Sequence, residues 1–180
     1  MSSISQLIDL HYPAHRKVRN ILLTHSRLVA DKALFIAQKH PELKADALLL
    51  EQGALVHDIG IVFTQAPDID CHGPAPYLQH GIIGGELLRQ NQLAHLAGMA
   101  ENHTGAGLSQ KEIIAQGLPL PHKDLLPTNI EESIIAFADK FYSKGKDLLH
   151  EKPLHKIRSG LERHGHEQLK RFDAWCQMFL

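Results

Sequence analysis

An all-α fold is predicted by two observations. Apolar residues along the 180-residue chain recur mostly at spacings of three and four, and no sustained apolar/polar alternation bounded by turn residues interrupts them. With 43% hydrophobic and 22% charged residues, the chain is long enough to bury one core, so a single domain over 1–180 is expected.

A short N-terminal helix leads through Pro13 into a long one over about 15–39, which ends at His40-Pro41 because the residue before a proline avoids the helical region. The next helix covers about 43–58 and stops near Gly60, read as a C-terminal glycine. Residues 64–78, TQAPDIDCHGPAPYL, are rich in proline, glycine and aspartate and predict a loop over the surface or across a site mouth. Helices follow at about 79–90, 93–103 and 109–116, then an irregular stretch at 117–129. Thr128-Asn129 before Glu131-Glu132 offers a capped start, with acids at the positive end, for a helix over about 130–144. The last helix, about 153–178, places Phe172, Trp175, Cys176 and Phe179 on one stripe, read as core or as a homodimer contact.

Bulk properties exclude several functions. The formal charge is −1 with the two signs interspersed, unlike the one-sided basic field of a nucleic-acid binder. No signal-like apolar segment opens the chain and no run approaches the roughly 20 apolar residues of a membrane span, so a cytoplasmic protein without membrane association is expected. Cys71 and Cys176 are too few for a disulfide scaffold and lack CxxC spacing, which sets aside zinc-finger chemistry. Histidine is the outlier, at 14 residues.

Sorting those histidines by helical face isolates a pattern. His25 lies amid Val18, Ile21, Leu22, Leu28, Val29 and Ile36; Ala47, Leu50 and Ala54 lead by helical steps to His57 beside Asp58. His80 precedes Ile83, Gly84, Leu87 and Leu88; Leu96, Met99 and Ala100 lead to His103; Ile135 and Tyr142 flank Asp139 within IIAFAD. A lone histidine on such a face is ordinarily held by a backbone carbonyl. The aspartates resist that reading, because an unpaired carboxylate in an apolar core costs several kcal/mol or becomes neutral. No lysine or arginine falls on the same stripes, so a divalent metal is the expected source of positive charge, with neutral imidazoles as co-ligands.

His25, His57-Asp58 within HDIG, and Asp139 within AFADK resemble the H…HD…D signature of the HD-domain metal-dependent phosphohydrolase superfamily, and more narrowly its HDIG group, over most of 20–145. The resemblance implies an HD-type helical bundle with metal held between helices. HGIIGGELL at 80–88 and ENHTGAG at 101–107 resemble the further histidine motifs of two-metal HD proteins, including the HD-GYP phosphodiesterases; His80 and His103 would then bind a second ion and Asp58 would bridge. The chain departs from HD-GYP in having Ile61 after HDIG, Asn102-His103 in place of paired histidines, and no GYP, which argues against cyclic di-GMP as substrate. The stretch from HTGAG to FADK looks more like small stand-alone bacterial and archaeal HDIG proteins.

Such a ligand set suits iron, manganese or nickel, with zinc and magnesium also compatible. Two ions about 3.5–4 Å apart would clamp a phosphate and generate a hydroxide in line with the leaving oxygen. The expected function is hydrolysis of a phosphomonoester or phosphodiester of a nucleotide or other small molecule, with Asp58 also holding the attacking water and Lys140 offering charge to the phosphate. A di-iron oxygenase on the same fold and a non-catalytic ligand-binding module are the alternatives. Lys140 is read equally as an exposed helix lysine; Asp70, His72, His122 and Lys123 as solvated loop residues or as a mouth lining; Glu101 and Asn102 as polar surface or as supports for the ligands. His11, His15, His40, His95, His150, His155, His164 and His166 are read as surface or capping residues.

Overall fold

The computed structural model describes residues 3–14, 16–145 and 147–180; His15 lies outside them. Among the described residues the α-helices are α1 (Ser3–His11), α2 (Lys17–Lys39), α3 (Ala47–Val56), α4 (His80–Gln90), α5 (Ala97–Glu101), α6 (Gln110–Ala115), α7 (Ile130–Asp139), α8 (Leu154–His164) and α9 (His166–Phe179). The all-α class is observed. None of these helices is long and apolar enough to cross a membrane.

Helix α2 is the spine. Its N-terminal half, through Val18, Ile21 and Leu22, packs into one apolar core with α1, Val56, Ile59, Ile61, Leu88 and Leu96. Its C-terminal half, through Val29, Ala30, Ala33 and Ile36, packs into another with Leu50, Ala54, Ile134, Ile135, Phe137 and the two C-terminal helices. His25, fully buried, sits on α2 at the seam between the two. At this seam polar side chains meet without splitting either core.

Local chemistry sets the helix ends. The helix read at 43–58 begins at Ala47, because Asp46 caps it: Oδ1 accepts from Leu48 N at 2.8 Å and Leu49 N at 3.1 Å. The region 93–103 divides into a 3-10 turn, Ala94–Leu96, and short α5. Asn129 caps α7 as expected, its Oδ1 accepting from Glu132 N at 2.8 Å. α7 ends at Asp139, five residues short of the predicted 144, and the chain then turns, with Lys152 N donating to Phe141 O at 2.7 Å.

Three further expectations are corrected. The stretch 64–78 is not all loop: β1 (Thr64–Ala66) pairs antiparallel with β2 (Cys71–His72) and parallel with β3 (Ala75–Pro76) in the order β2-β1-β3. Gly60 does not act as a left-handed helix terminator, since its φ is −87°. It is glycine because a Cβ there would run into the His80 carbonyl and the Gly84 amide, so its lack of a side chain lets α4 press onto the 57–60 turn. The last helix is broken at Gly165, whose φ of 139° is open only to glycine. That break folds α8 and α9 into a hairpin and lets Phe172 stack on Phe137 at 5.2 Å between ring centroids and Phe179 meet Phe137 edge-on at 5.3 Å. The aromatic stripe is thus core within this chain, with Trp175 half-buried against it.

Candidate metal centre

The six ligand-type residues converge in the seam. His25 comes from α2, His57 and Asp58 from the turn closing α3, His80 from the start of α4, His103 from just past α5 and Asp139 from the last turn of α7. They form two groups, His25–His57–Asp58–Asp139 and Asp58–His80–His103, in each of which the ligand atoms lie within 4.8 Å of one another. Asp58 belongs to both. Its Oδ2 lies 3.1 Å from His57 Nε2 and 3.3 Å from His25 Nε2, while its Oδ1 lies 3.4 Å from His80 Nε2 and 3.5 Å from His103 Nε2. Asp139 Oδ1 closes the first group at 2.9 Å from His25 Nε2.

Three of the four rings are aimed by the same device. His57, His80 and His103 each donate from Nδ1 to the carbonyl three residues back, Ala54, Tyr77 and Ala100, all at 2.7 Å. With Nδ1 held by the backbone, each Nε2 points inward toward the other ligand atoms of its group. These ring nitrogens crowd together: His80 Nε2 is 3.0 Å from His103 Nε2, and His57 Nε2 is 3.3 Å from His25 Nε2. Neither oxygen of buried Asp58 receives a well-directed hydrogen bond, though Lys144 Nζ lies 2.8 Å from Oδ2. Inward-facing ring nitrogens around a buried carboxylate are the donor set that a divalent cation requires, so the residues fit a metal.

The electrostatics agree with that fit. Burial, with the His103 ring beside it, pushes His80 down to about 3, and burial also lowers His103, so both sites disfavour the charged imidazole. Burial opposes charge on His57 as well, but Asp58 and Asp139 outweigh it and raise it to about 9. Asp58 stays ionised despite burial because His57 and Lys144 face it, and Asp139 because Lys140 and Lys144 do. The two buried carboxylates face the His57 ring and the ammonium groups of Lys140 and Lys144.

Lysine placement corrects the reading that no cation shares these stripes. Lys140 is not an exposed helix residue: its Nζ lies 2.7 Å from Asp139 Oδ2 and donates to His103 O at 3.2 Å. Lys144, which sequence reasoning missed, reaches both Asp58 and Asp139. It does so because α7 stops at Asp139 and the following turn curls back over the mouth. Tyr77 was also missed; it stacks on His80 at 4.8 Å and burial pushes its hydroxyl up to about 12. A basic residue five positions past a buried aspartate was the available signal for Lys144, and only the helix end gives it meaning.

Other candidates lie elsewhere. Asp70 is taken by Arg16 at 2.8 Å, and exposed His72 lies 3.3 Å from Asp70. Lys123 approaches Glu101 at 3.6 Å, and His122 is exposed. Glu101 is buried and forked by Arg89 at 2.8 Å, and Asn102 donates to Glu132 at 2.9 Å, so neither orients a cluster histidine. Outside the cluster, His95, His150, His155, His164 and His166 are exposed; half-buried His40 caps α2 and half-buried His11 packs on Phe63.

The chain matches the model of the HD domain over residues 22–143. It is 38% identical over 121 residues to an uncharacterized protein of Methanocaldococcus jannaschii, covering 66% of this chain and 64% of that one. It is 36% identical over 125 residues to a tRNA (cytidine(56)-2'-O)-methyltransferase of Picrophilus torridus (69% of this chain, 32% of that protein) and 32% identical over 128 residues to the same-named protein of Thermoplasma volcanium (71% and 33%). The chain thus spans just under two thirds of the first relative and about a third of the methyltransferases. In fold it is similar to the HD domain of the L. monocytogenes phosphodiesterase PgpH, with a TM-score of 0.55 at 17% identity over 96% of this chain and 94% of that one. The same domain in complex with cyclic-di-AMP gives 0.54 at 19%, over 94% and 91%. With the ordered H…HD…D residues in one seam and the family model spanning them, this chain belongs to the HD domain family.

Proposed function

We propose that this protein is a metal-dependent phosphohydrolase acting on a phosphomonoester or phosphodiester of a nucleotide or another small molecule. The observation that carries the reading is the pair of clusters sharing Asp58, one carboxylate with an oxygen toward each. His25, His57, Asp58 and Asp139 would hold one divalent ion and Asp58, His80 and His103 a second. Such ions supply Lewis acidity toward phosphoryl oxygens and lower the pKa of water.

The chain's own residues do the rest. In hydrolysis the oxygen of water joins phosphorus, the ester P–O bond breaks, and the departing oxygen takes a proton. Lys140 and Lys144 stand at the rim of the seam, where their ammonium groups orient phosphate oxygens. Beyond Lys140 a cavity of about 430 Å³ is walled by Leu78, Leu108, Leu118 and Leu161, a lining suited to a base or another organic group of the substrate. The PgpH complex with cyclic-di-AMP is a phosphate diester bound to the same fold, which supports a nucleotide-like substrate class. Methyl transfer is not proposed: the chain spans about a third of the methyltransferases it resembles.

The test is elemental analysis of the protein purified without added metal, beside Asp58→Ala, followed by a phosphate-ester screen with the metal found. Close to two ions per chain, lost in the variant, with metal-stimulated phosphate release supports the proposal. Two irons with an oxygen-dependent product and no ester hydrolysis would replace it by an oxygenase.

A further inference from the structure

From Asp139 and Lys144 a cleft of about 460 Å³ runs out along α8, lined among others by Tyr77, Lys152, Lys156, Gly160 and Arg163. Its inner lysines already pair with the seam, Lys140 with Asp139 and Lys144 with Asp58, and serve the phosphate that enters there. Its outer cations differ: among the described residues Lys152, Lys156 and Arg163 make no ion pair. Lys156, Gly160 and Arg163 are spaced by four and three residues and so share one face of α8, while Ile157 and Leu161 turn into the core. Glu162, the one acid in α8, points off that face.

Gly160 sharpens the case. A glycine inside a helix weakens it, and is usually repaid by a close approach or a left-handed turn. Neither holds here: Gly160 is helical, and a Cβ added to it would meet nothing within 4 Å. What the missing side chain leaves is open floor between Lys156 and Arg163.

We propose that this cleft seats a second phosphate of the substrate, so that the molecule acted on carries at least two phosphate groups, one entering the Asp58–Asp139 seam and the other held by Lys152, Lys156 and Arg163. The first half rests on the hydrolase reading; the second rests on the unpaired cations and the open floor. These three residues lie beyond 143, outside the stretch matched as HD domain.

The experiment compares adenosine 3′,5′-bisphosphate with adenosine 5′-monophosphate in two readouts. Affinity is measured by calorimetry on the full chain before and after metal removal, and kcat/KM is measured relative to an aryl phosphate. The variants are Lys152→Gln/Lys156→Gln, Arg163→Gln, Gly160→Leu and, as a remote control on α9, Lys170→Gln. The preference for the bisphosphate is expected to fall roughly tenfold or more in the double variant, as for loss of charged hydrogen bonds, and to hold in Lys170→Gln. Gly160→Leu is expected to lose the preference while its Tm holds or rises, since leucine favours the helix. Aryl phosphate hydrolysis with a preference unchanged in all variants, or lowered equally by Lys170→Gln, overturns the second-phosphate seat and leaves the hydrolase reading standing. No ester hydrolysis with any metal, but bisphosphate affinity lost only in the cleft variants, does the reverse.

Discussion

The two ends of the cleft are built by opposite means. At the Asp58 end every ligand-type side chain is buried and lies on a helix or its closing turn, and three of the four imidazoles are aimed by their own backbone. At the α8 end Lys156 and Arg163 are exposed, and no carboxylate pairs with them among the described residues. The first end cannot change a residue without disturbing the seam between two cores. The second can, because exposed substitutions away from packing change stability by only about 0.5 kcal/mol. The contrast separates a centre fixed by packing from a selectivity surface free to vary, and each variant below probes one side of that division or the tie between them.

The sharpest break is at Asp58. Asp58→Ala removes the only carboxylate common to both groups and leaves Lys144 without its nearer partner. It is expected to lose both ions, by elemental analysis, and roughly 10³-fold or more in hydrolysis, beyond the 10–100-fold typical of residues that merely support a ligand. His80→Ala should keep one ion, since its group holds Asp58 and His103 but not His25 or Asp139. Loss of both ions in His80→Ala would show that the two groups load as one.

Next in size is the packing that carries the α8 face. Phe172 is fully buried and stacks on Phe137, so Phe172→Ala is expected to cost about 3–5 kcal/mol in denaturant unfolding. A loss confined to α8 and α9, with metal content intact, would show that the centre survives without the hairpin. A single cooperative loss would show that the two ends stand or fall together.

The tie itself is Arg171. Its Nε donates to Ala106 O at 2.9 Å and its Nη2 to Gly107 O and Glu112, both at 2.8 Å, while Gln168 accepts from Ala106 N at 2.7 Å. Through these bonds α9 holds the loop that follows His103. Arg171→Gln is expected to cost roughly 2 kcal/mol and to weaken the ion at His80 and His103 before the one at His25, read as a biphasic metal titration.

The same division explains what could be read from the sequence. The six ligand-type residues were legible because helical spacing encodes which side chains share a face, and each stripe named its own polar intruder. Lys144 and Tyr77 were not, because they come from irregular segments whose direction depends on where α7 ends and how the 64–78 region folds. Gly60 was legible as a special glycine but not for its reason, since close approach of α4 is a tertiary fact. The hairpin at Gly165 escaped because isolated glycines in a long helical pattern are often tolerated, and the pattern at 153–178 holds two, Gly160 and Gly165. Periodicity reports faces; it does not report where a helix stops.

The smallest effect tests that last point. Asp46 caps α3 two turns before Ala54, whose carbonyl aims His57, and its own amide donates to Glu131 Oε1 at 2.8 Å. Asp46→Ala removes the side-chain acceptor and is expected to cost about 1 kcal/mol. Fraying at the N-terminus of α3 need not reach its last turn, where His57 is held by the core around Ala54 and Ile135. Metal content and hydrolysis should therefore match the parent protein while Tm falls. If ions are lost as well, the Nδ1 anchor of His57 depends on the whole of α3, and the centre is less independent of the helix ends than its burial implies.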